Sequence, residues 1–493
     1  MLVGGSPNEA WLRRKLLAKS KQVSRSKSER IRDRERSTLP DRFRHELLSA
    51  QLVSKANLSE SDLVNHLVAS HHGHARPWMP PSTDRDPTKV ELGPIGIAYV
   101  CEAEDRSDAF DTEIRLAIAE RFWRLQGEYG AWGLAYLESI LRLADQQISR
   151  EEASGAHAPP ESSNLGVSYS SGTNVAAPNK TVLTGIDGDS PLGMLASLGA
   201  LRVINHAIDE PVKLHWRVSD GAWRPVLTSM AAIDEKQIEN ILSDHLGQDT
   251  AQALLEFDEL DVTDSKAGKL ISCPQRFHCV TRKLLNAYLV SGDSRLNCGI
   301  AAALGNECTQ KLSAKEPAVE HTELYMTKGS GHQRMLDLMR VIRAQTTWDH
   351  IERSLYGVWD YVDEGRGRIL RWDPAEDRSY AKRWKNPSSD AVMTMLGANY
   401  LAIEAVSFFP TAIVNRRLAT TGFDRMKRKT YLSWPIWTTP LTSESIKALL
   451  QLSEMHTADP NDLWLSQLSV SVVKRVERIR DGKYFNFSYA DSV

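Results

Sequence analysis

The sequence has few cysteines, no long apolar run and little net charge, and these shortages narrow the classes of protein to consider. Its five cysteines are too few and too scattered for a disulfide framework, which fits a reducing compartment. No apolar stretch approaches the ~18 residues of a membrane span, and no signal peptide opens the chain, so we expect a cytoplasmic protein with no membrane partner. The formal net charge of −2 is ordinary for a globular protein.

Although the net charge of the whole chain is close to zero, its first segment is basic. Residues 1–44 hold 13 Lys/Arg against 5 Asp/Glu. A solvated segment is one interpretation, and a contact with nucleic acid is the sharper alternative. Both interpretations stay open at this level.

Length and local pattern predict a mainly α fold in two domains. A chain of 493 residues can form two or three domains, each with its own core. Residues 1–150 have the pattern of amphipathic helices, and residues 151–180 are a linker rich in Ser, Gly, Ala, Asn and Pro. Residues 181–493 have the pattern of a mostly helical α+β domain.

Local signals in the second domain predict one hairpin and several helices. Val212–Val218 and Trp223–Leu227 flank Ser219-Asp-Gly221, a pattern that predicts a β-hairpin. Pro191–Ile204 and Leu463–Ile479 have the pattern of helices, and Gly367–Trp372 that of a short strand.

A pair of histidines closes one helix of the first domain. Residues 58–72 predict a helix that ends at Gly73. His71 and His72 continue two apolar stripes at helical spacing, Leu63-Leu67-His71 and Val64-Val68-His72. Adjacent imidazoles that face inward need partners for their nitrogens, and either a metal ion or hydrogen bonds within a partly buried pair would provide them. His66, on the other side of this helix, is expected to face solvent.

A carboxylate lies on the apolar stripe of the last helix of this domain, residues 132–145. Asp145 stands near the C-terminus of that helix, where the helix dipole disfavours negative charge. It therefore needs a compensating cation, which Arg142, another basic residue or a metal ion could supply.

Five short motifs follow one another in the first 150 residues. They are Leu17-Ala-Lys-Ser20, Phe43-Arg-His-Glu46, Leu67-Val-Ala-Ser-His-His-Gly73 with Arg76-Pro77, Tyr129-Gly-Ala-Trp-Gly-Leu-Ala-Tyr-Leu-Glu138 and Leu141-Arg-Leu-Ala-Asp145. In this order they resemble the C-terminal two-thirds of an HD-type nuclease domain, the one in the nuclease-helicase of type I CRISPR interference, and most closely its I-G (formerly I-U) subtype.

The resemblance implies a metal-dependent nuclease that cleaves single-stranded DNA. His45, His71 and His72 would be ligands of one divalent transition metal (Mn, Ni, Co or Fe) and Asp145 a ligand of a second. Imidazoles and carboxylates suit these ions, and a metal pair activates water and neutralises the scissile phosphate. Arg76 would contact a phosphate of the substrate. The implied partners are single-stranded DNA and the CRISPR guide-RNA effector complex.

Two parts of the family pattern are missing from this sequence. The His-Asp dyad that defines the family should stand upstream of Gly4-Gly5, and no Gly-x-x-x-x-Gly-Lys-Ser/Thr loop of a helicase is present. We therefore expect an N-terminally truncated HD domain whose two-metal site is impaired. A separate helicase polypeptide is the expected source of the missing dyad.

The second domain resembles the extension that follows the HD domain in I-G nuclease-helicases. The matching stretches are Gly185-Ile-Asp-Gly-Asp-Ser-Pro-Leu-Gly193, Leu198-Gly-Ala-Leu-Arg202, Leu370-Arg-Trp-Asp-Pro374, Gly397-Ala-Asn399 and Trp434-Pro-Ile-Trp437. Basic and aromatic residues alternate between 366 and 385, a composition typical of single-strand binding surfaces, and Arg371, Trp372 and Arg383 are the candidate substrate contacts. A twisted hairpin with its aromatic rings in the core is the alternative.

Three functions are therefore considered. The leading hypothesis is a CRISPR defence component that hydrolyses DNA phosphodiesters. The second is a non-catalytic subunit that binds nucleic acid or the effector complex. A small-molecule HD phosphohydrolase is less favoured, because the basic segments suit a polymer better than a nucleotide.

Overall fold

The computed structural model describes most of the chain in separate stretches. They are residues 45–55, 61–80, 90–92, 99–101, 108–154, 178–231, 233–247, 299–300, 302–311, 318–326, 335–365, 369–377, 391–482 and 484–493. The chain divides into two compact units, the first made of residues 1–174 and 466–468 and the second of residues 175–465 and 469–493. The boundary between the two units, after Asn174, falls within residues 151–180, which the sequence predicts to be a linker.

The expectation of a mainly α fold is wrong, because sheets form a large part of the structure. The described residues contain one five-stranded sheet, one three-stranded sheet and four two-stranded sheets. The fold is mixed α+β. None of the helices in the described ranges is long and apolar enough to cross a lipid bilayer.

The described residues of the first unit form three helices and one short strand pair. Helices α1 (His45–Lys55), α2 (Asp62–Ser70) and α3 (Asp108–Ser154) pack against one another, and β1 (Val90–Leu92) pairs antiparallel with β2 (Tyr99–Cys101). The core of this unit includes Leu47, Ala50, Ala69, Ala75, Met79 and Ile118.

Helix α3 is interrupted at Gly130. The φ of this residue is 70° and its ψ is 164°, which is not helical. Glycine adopts this conformation readily because it has no Cβ. The half of α3 that follows Gly130 contains the helix, residues 132–145, that the sequence predicts.

The second unit alternates helices and strands along the chain. Among the residues that the structure describes, its helices are α4 (Pro191–Ala207), α5 (Glu235–Gly247), α6 (Met335–Gln345), α7 (Trp348–Tyr356), α8 (Leu396–Ala405), α9 (Ser443–Leu450) and α10 (Asp462–Gln467). Its strands are β3 (Asn179–Val182), β4 (Lys213–Ser219), β5 (Ala222–Ser229), β6 (Gly305–Lys311), β7 (Ala318–His321), β8 (Asp363–Glu364), β9 (Met393–Thr394), β10 (Thr411–Val414), β11 (Arg417–Thr420), β12 (Phe423–Met426), β13 (Lys429–Trp437), β14 (Val470–Asp481), β15 (Tyr484–Phe487) and β16 (Asp491–Ser492).

Two apolar helices form the centre of the second unit. Helix α8 is buried along its whole length, and α4 is buried from Pro191 to Ile204. Such all-round burial is expected of a helix with no polar face. The start of α4 is fixed as the sequence predicts, because the Ser190 hydroxyl accepts a hydrogen bond from the N–H of Gly193 and Pro191 occupies the first turn.

The predicted hairpin is confirmed. Strand β4 pairs antiparallel with β5 through a two-residue turn at Asp220 and Gly221, whose φ values are 52° and 74°. Strand β3 lies on the other edge of β5 and completes the three-stranded sheet. Asp-Gly is a preferred pair for such a turn, since both residues must adopt positive φ.

The prediction of a helix over Leu463–Ile479 is wrong. Only the short helix α10 forms there, and Val470–Asp481 is strand β14 at the middle of the five-stranded sheet. This strand pairs with β13 on one side and with β15 and β16 on the other. Valines favour an extended chain between two partners, and these partners are fixed only by the tertiary fold.

Candidate functional site

The histidine pair lies at the end of helix α2. The hydroxyl of Ser61 accepts a hydrogen bond from the backbone N–H of Val64 and caps the start of the helix. His71 is the C-cap residue, and Gly73 follows with a φ of 86°. The helix therefore ends at the histidine pair, and Gly73 is the residue of positive φ that follows it, as the sequence predicts.

The buried face of α2 differs from the predicted one. His66, Ala69 and Ser70 are buried, whereas Val64 is 46% exposed. Small side chains at positions 69 and 70 allow close packing, so the large aliphatic residues lie at the edge of the contact. The expectation that His66 faces solvent is wrong, because its side chain is fully buried.

The rings of His71 and His72 lie side by side. Their centroids are 4.3 Å apart, and both residues are half-buried. Nδ1 of His71 lies 2.7 Å from the carbonyl oxygen of Val68. Because a carbonyl can only accept, Nδ1 donates in this contact, which leaves Nε2 as the acceptor of the neutral ring. Metal-binding histidines commonly have one ring N–H fixed in this way, and hydrogen-bonded histidines at a helix end do as well.

Helix α3 passes the turn that follows the histidines. A Cβ atom added to Gly73 would lie 3.4 Å from Nη1 of Arg142. Asp145 is half-buried on the same helix, three residues further along. The predicted pairing of Arg142 with Asp145 is not seen, because no ion pair joins them in the described part of this unit. The Arg142 guanidinium instead lies against the glycine turn.

The predicted metal site stays a prediction. Among the described side chains, no group of three His, Cys, Asp or Glu residues is placed to hold a metal ion. His71, His72 and Asp145 therefore do not make a ligand set by themselves. His45 begins helix α1, and its side chain lies outside the described residues, so the full predicted set is untested.

A buried ionic cluster joins α2 to the second half of α3. Nε2 of His66 lies 2.6 Å from Oε1 of Glu138, and Arg76 forms an ion pair with Oε2 of the same carboxylate. His66 is 0% exposed and Glu138 is 2% exposed. A buried carboxylate requires such partners, so this cluster fixes the histidine helix on α3.

The position of Glu138 on helix α3 is a sequence signal for this cluster. Glu138 follows Leu134 by four residues, and both are buried, so Glu138 continues the inward face of α3. Arg76, which the sequence predicts to contact phosphate, forms an ion pair with Glu138, and 41% of its side chain is exposed. Its phosphate contact stays a prediction.

A second buried ionic cluster surrounds Glu404 of helix α8. Arg202 of α4 forms an ion pair with Oε2, and Nη1 of Arg343 lies 2.8 Å from Oε1. Nε2 of His245 lies 3.2 Å from the same oxygen. Burial alone would raise the pKa of Glu404, but Arg202, His245 and Arg343 outweigh it and hold the pKa far below its ordinary value.

A third buried group centres on Glu376. Oε1 accepts hydrogen bonds from the hydroxyl of Thr394 at 2.5 Å and from Nδ2 of Asn399 at 3.1 Å. Oε2 of Glu376 and Oδ1 of Asn399 are both buried and have no hydrogen-bond partner among the described residues. Burial and, to a smaller extent, the nearby Asp373 carboxylate together raise the pKa of Glu376 to about 7, against the opposing effect of the hydrogen bonds from Thr394 and Asn399.

Glutamine at position 376 is expected to stabilise the second unit at pH 8. A raised pKa means that the contribution of Glu376 is fully present below the ordinary pKa of 4.5 and is lost as the pH rises through about 7. Glu376→Gln removes the buried charge, keeps an acceptor for Thr394 and Asn399, and adds donors near Oδ1 of Asn399. We expect a gain of about 1–3 kcal/mol at pH 8 and little gain at pH 5.

Urea unfolding of both proteins between pH 5 and pH 8 measures this difference. Glu364→Gln, at an exposed position of the same segment, is the matched control and should change neither value. A loss of stability at pH 8 in the Glu376 variant would show that the carboxylate is needed in its charged form.

The structure describes two of the three residues that the sequence predicts as substrate contacts in the second unit, Arg371 and Trp372. Trp372 is 0% exposed, and its indole N–H donates to the carbonyl oxygen of Leu324 at 2.9 Å. No face of the ring is open to a base, so the prediction that Trp372 contacts substrate is wrong. Arg371 donates to Oδ1 of Asn486 at 2.8 Å and covers the ring of Tyr484 at 4.2 Å. Residues 369–372 form no strand, and Arg383 lies outside the described residues. The core alternative considered for these aromatic residues holds for Trp372.

Comparisons with known proteins leave the resemblance untested. The scan against family models found no matching family, and the searches of curated proteins and of solved structures found no similar protein.

Proposed function

We propose that the first unit is an HD-type, metal-dependent nuclease module that hydrolyses phosphodiesters of single-stranded DNA, as part of a cytoplasmic CRISPR defence system. The observation that carries the proposal is the pair of imidazoles, 4.3 Å apart, where α2 ends. The hydrogen bond from His71 to the Val68 carbonyl supports it, because this bond turns Nε2 into an acceptor suited to a metal ion. The guide-RNA effector complex and a helicase polypeptide are proposed partners on the resemblance alone.

The donor chemistry fits a divalent transition metal. His45, His71, His72 and Asp145 would hold Mn, Ni, Co or Fe, which accept imidazole and carboxylate ligands. Such an ion, once bound, would supply hydroxide at neutral pH and offset charge on the scissile phosphate. The chain itself contributes position and charge. The pairing of Glu138 with His66 and Arg76 fixes α2 on α3, and the Arg142 guanidinium adjoins the glycine turn, where it would attract a phosphate.

The proposal predicts that His71→Ala abolishes metal-dependent cleavage. The full chain would be incubated with a labelled single-stranded oligonucleotide and manganese, nickel, cobalt or iron, and metal binding would be measured by calorimetry. We expect cleavage that EDTA stops, and in the variant a loss of cleavage to background and of metal affinity by at least about 10-fold, the lower end of a ligand-shell effect.

A matched control separates a ligand effect from a general histidine effect. His206→Ala, at an exposed position of helix α4, should leave cleavage and metal affinity unchanged. Equal cleavage by the wild-type protein and by His71→Ala would exclude His71 as a ligand. Absence of metal binding to the wild-type protein would contradict the proposal as a whole.

A second candidate function is a non-catalytic subunit that binds nucleic acid. Exposed basic side chains of the second unit favour it, because cations attract phosphates without a metal; they are Arg416, Arg417, Lys427 and Arg428. Under this alternative the protein binds the oligonucleotide in EDTA and cleaves none of it with any of the four ions.

A further inference from the structure

Two short hairpins of the second unit carry a concentration of positive charge. Strands β10 and β11 are joined at Asn415 and Arg416, and β12 and β13 are joined at Lys427 and Arg428. All four turn residues have positive φ, between 48° and 72°. Only two residues connect each pair, so both turns are of the tight kind that Asn-Gly satisfies best. Three of these four positions hold a long basic side chain instead.

The two basic tips lie at the same end of the hairpin pair. Strand β11 begins at the first tip and ends at Thr420, and after a turn at Gly422 strand β12 leads back out to the second tip. A groove of about 450 Å³ lies between the hairpins. Val414, Asn415 and Arg417 line it from the first hairpin, and Arg425 and Thr430 line it from the second. Two acidic residues, Glu323 and Asp424, also line it, so the excess of positive charge lies at the tips and not in the groove.

The positive charge of the two tips is not neutralised by ion pairs in the described part of the chain. Residues 414–430 hold six Arg or Lys residues against one acidic residue, Asp424. Arg425 pairs with Glu323 at 2.6 Å and Lys429 pairs with Glu477 at 2.7 Å. In the described part of the chain, no ion pair or hydrogen bond engages the other four basic side chains, Arg416, Arg417, Lys427 and Arg428. The tips thus present a local excess of exposed cations.

The side chains at the tips suit a phosphate backbone. Three of the four uncommitted cations are arginines, whose planar guanidinium matches phosphate oxygens in pairs. Val414, which lines the groove, is 53% exposed and adds apolar area beside the first tip. Asn415 and Thr430 add polar groups along the lining.

We propose that the two basic hairpin tips bind the backbone of a single-stranded nucleic acid. This site lies in the second unit and requires neither a metal ion nor the histidine pair. It provides a means to hold a strand whether or not the first unit cleaves it.

A variant with Asn-Gly at both tips tests this site without weakening the fold. The triple substitution Arg416→Gly, Lys427→Asn and Arg428→Gly removes three cations and installs the preferred turn pair in each hairpin. Thermal unfolding should therefore occur at the wild-type temperature or above it. The matched control is Lys180→Ala, Arg217→Ala and Lys236→Ala, which removes three exposed cations elsewhere in the same unit.

Binding of a labelled 20-nucleotide oligothymidylate would be measured by fluorescence anisotropy in EDTA over a range of salt concentrations. We expect at least about a 10-fold loss of affinity at moderate salt in the tip variant, and a salt slope smaller by about 2, since each phosphate contact to a single strand contributes about 0.7. The control variant should change affinity less than about twofold. The His71→Ala protein should bind like wild type, which separates this site from the metal-dependent proposal.

Three results would overturn the assignment. The first is unchanged binding by the tip variant, and the second is an equal loss in the control variant, which would indicate attraction by net charge alone. The third is competition by polyglutamate or by anionic phospholipid vesicles as strong as that by the oligonucleotide, since the surface would then recognise negative charge of any kind.

Discussion

Glu404→Gln is expected to lower the free energy of unfolding of the second unit by about 3–5 kcal/mol, the usual cost of removing one member of a buried ion pair. Glu404 is the shared partner of Arg202, Arg343 and His245, and its side chain is 8% exposed. Glutamine has the same shape but no charge. The two guanidinium groups would then stay buried without an anion, which the low-dielectric interior disfavours strongly.

The measurement is urea unfolding at pH 7, followed by circular dichroism. Glu239→Gln, at an exposed position of helix α5, removes the same charge from the surface and should change stability by less than about 0.5 kcal/mol. If both variants unfold at the same urea concentration, the cluster around Glu404 does not stabilise the fold.

The effect of Glu404→Gln should also depend on pH in a defined direction. The pKa of Glu404 is held below its ordinary value of 4.5, so its stabilising contribution is complete above that value. The contribution is lost as the pH falls through the pKa in the folded protein. The difference between wild type and variant should therefore be constant from pH 6 to pH 8 and shrink in acid. Glu376→Gln should show the opposite trend, with its largest effect at pH 8.

Gly199→Ala is expected to destabilise the second unit by more than about 3 kcal/mol, beyond the usual range for overpacking. A Cβ atom at Gly199 of α4 would overlap the carbonyl oxygen of Leu401 of α8 and lie 2.6 Å from its carbonyl carbon. The obstacle is the backbone of a helix that is buried on all sides, so no flexible side chain can move away. The gain in helix propensity, about 1 kcal/mol, is smaller than this clash.

A glycine in an open helical position provides the control. The Cβ of Gly133→Ala in α3 would meet the Cβ of Tyr129 at 3.5 Å, an ordinary contact. That variant should be neutral or slightly more stable in thermal unfolding. Wild-type stability in the Gly199 variant would show that α4 and α8 are farther apart than described.

The sequence predicted those elements whose turns or ends depend on only a few neighbouring residues. The β4–β5 hairpin follows from Asp220-Gly221, because that turn needs two residues at positive φ. The start of α4 follows from Ser190-Pro191, and the break in α3 occurs at Gly130. Each of these residues acts on its own backbone, so no distant partner is needed.

The sequence misassigned the segments whose structure depends on distant partners. Val470–Asp481 contains apolar residues that suit a helix or a strand, and pairing with β13 on one side and β15 on the other selects the strand. His66 was placed in solvent because its partner, Glu138, is 72 residues away. Trp372 was placed on a binding surface, whereas its indole bonds to Leu324 in the core.

The sequence by itself determined where turns, caps and helix breaks fall, and that two histidines close helix α2, because backbone conformation at such positions depends on single residues. Tertiary structure alone decided which charged groups are buried together. The free energy of a buried charge depends on partners that the fold brings from distant segments, as Glu138 brings together His66 and Arg76, and Glu404 brings together Arg202, His245 and Arg343.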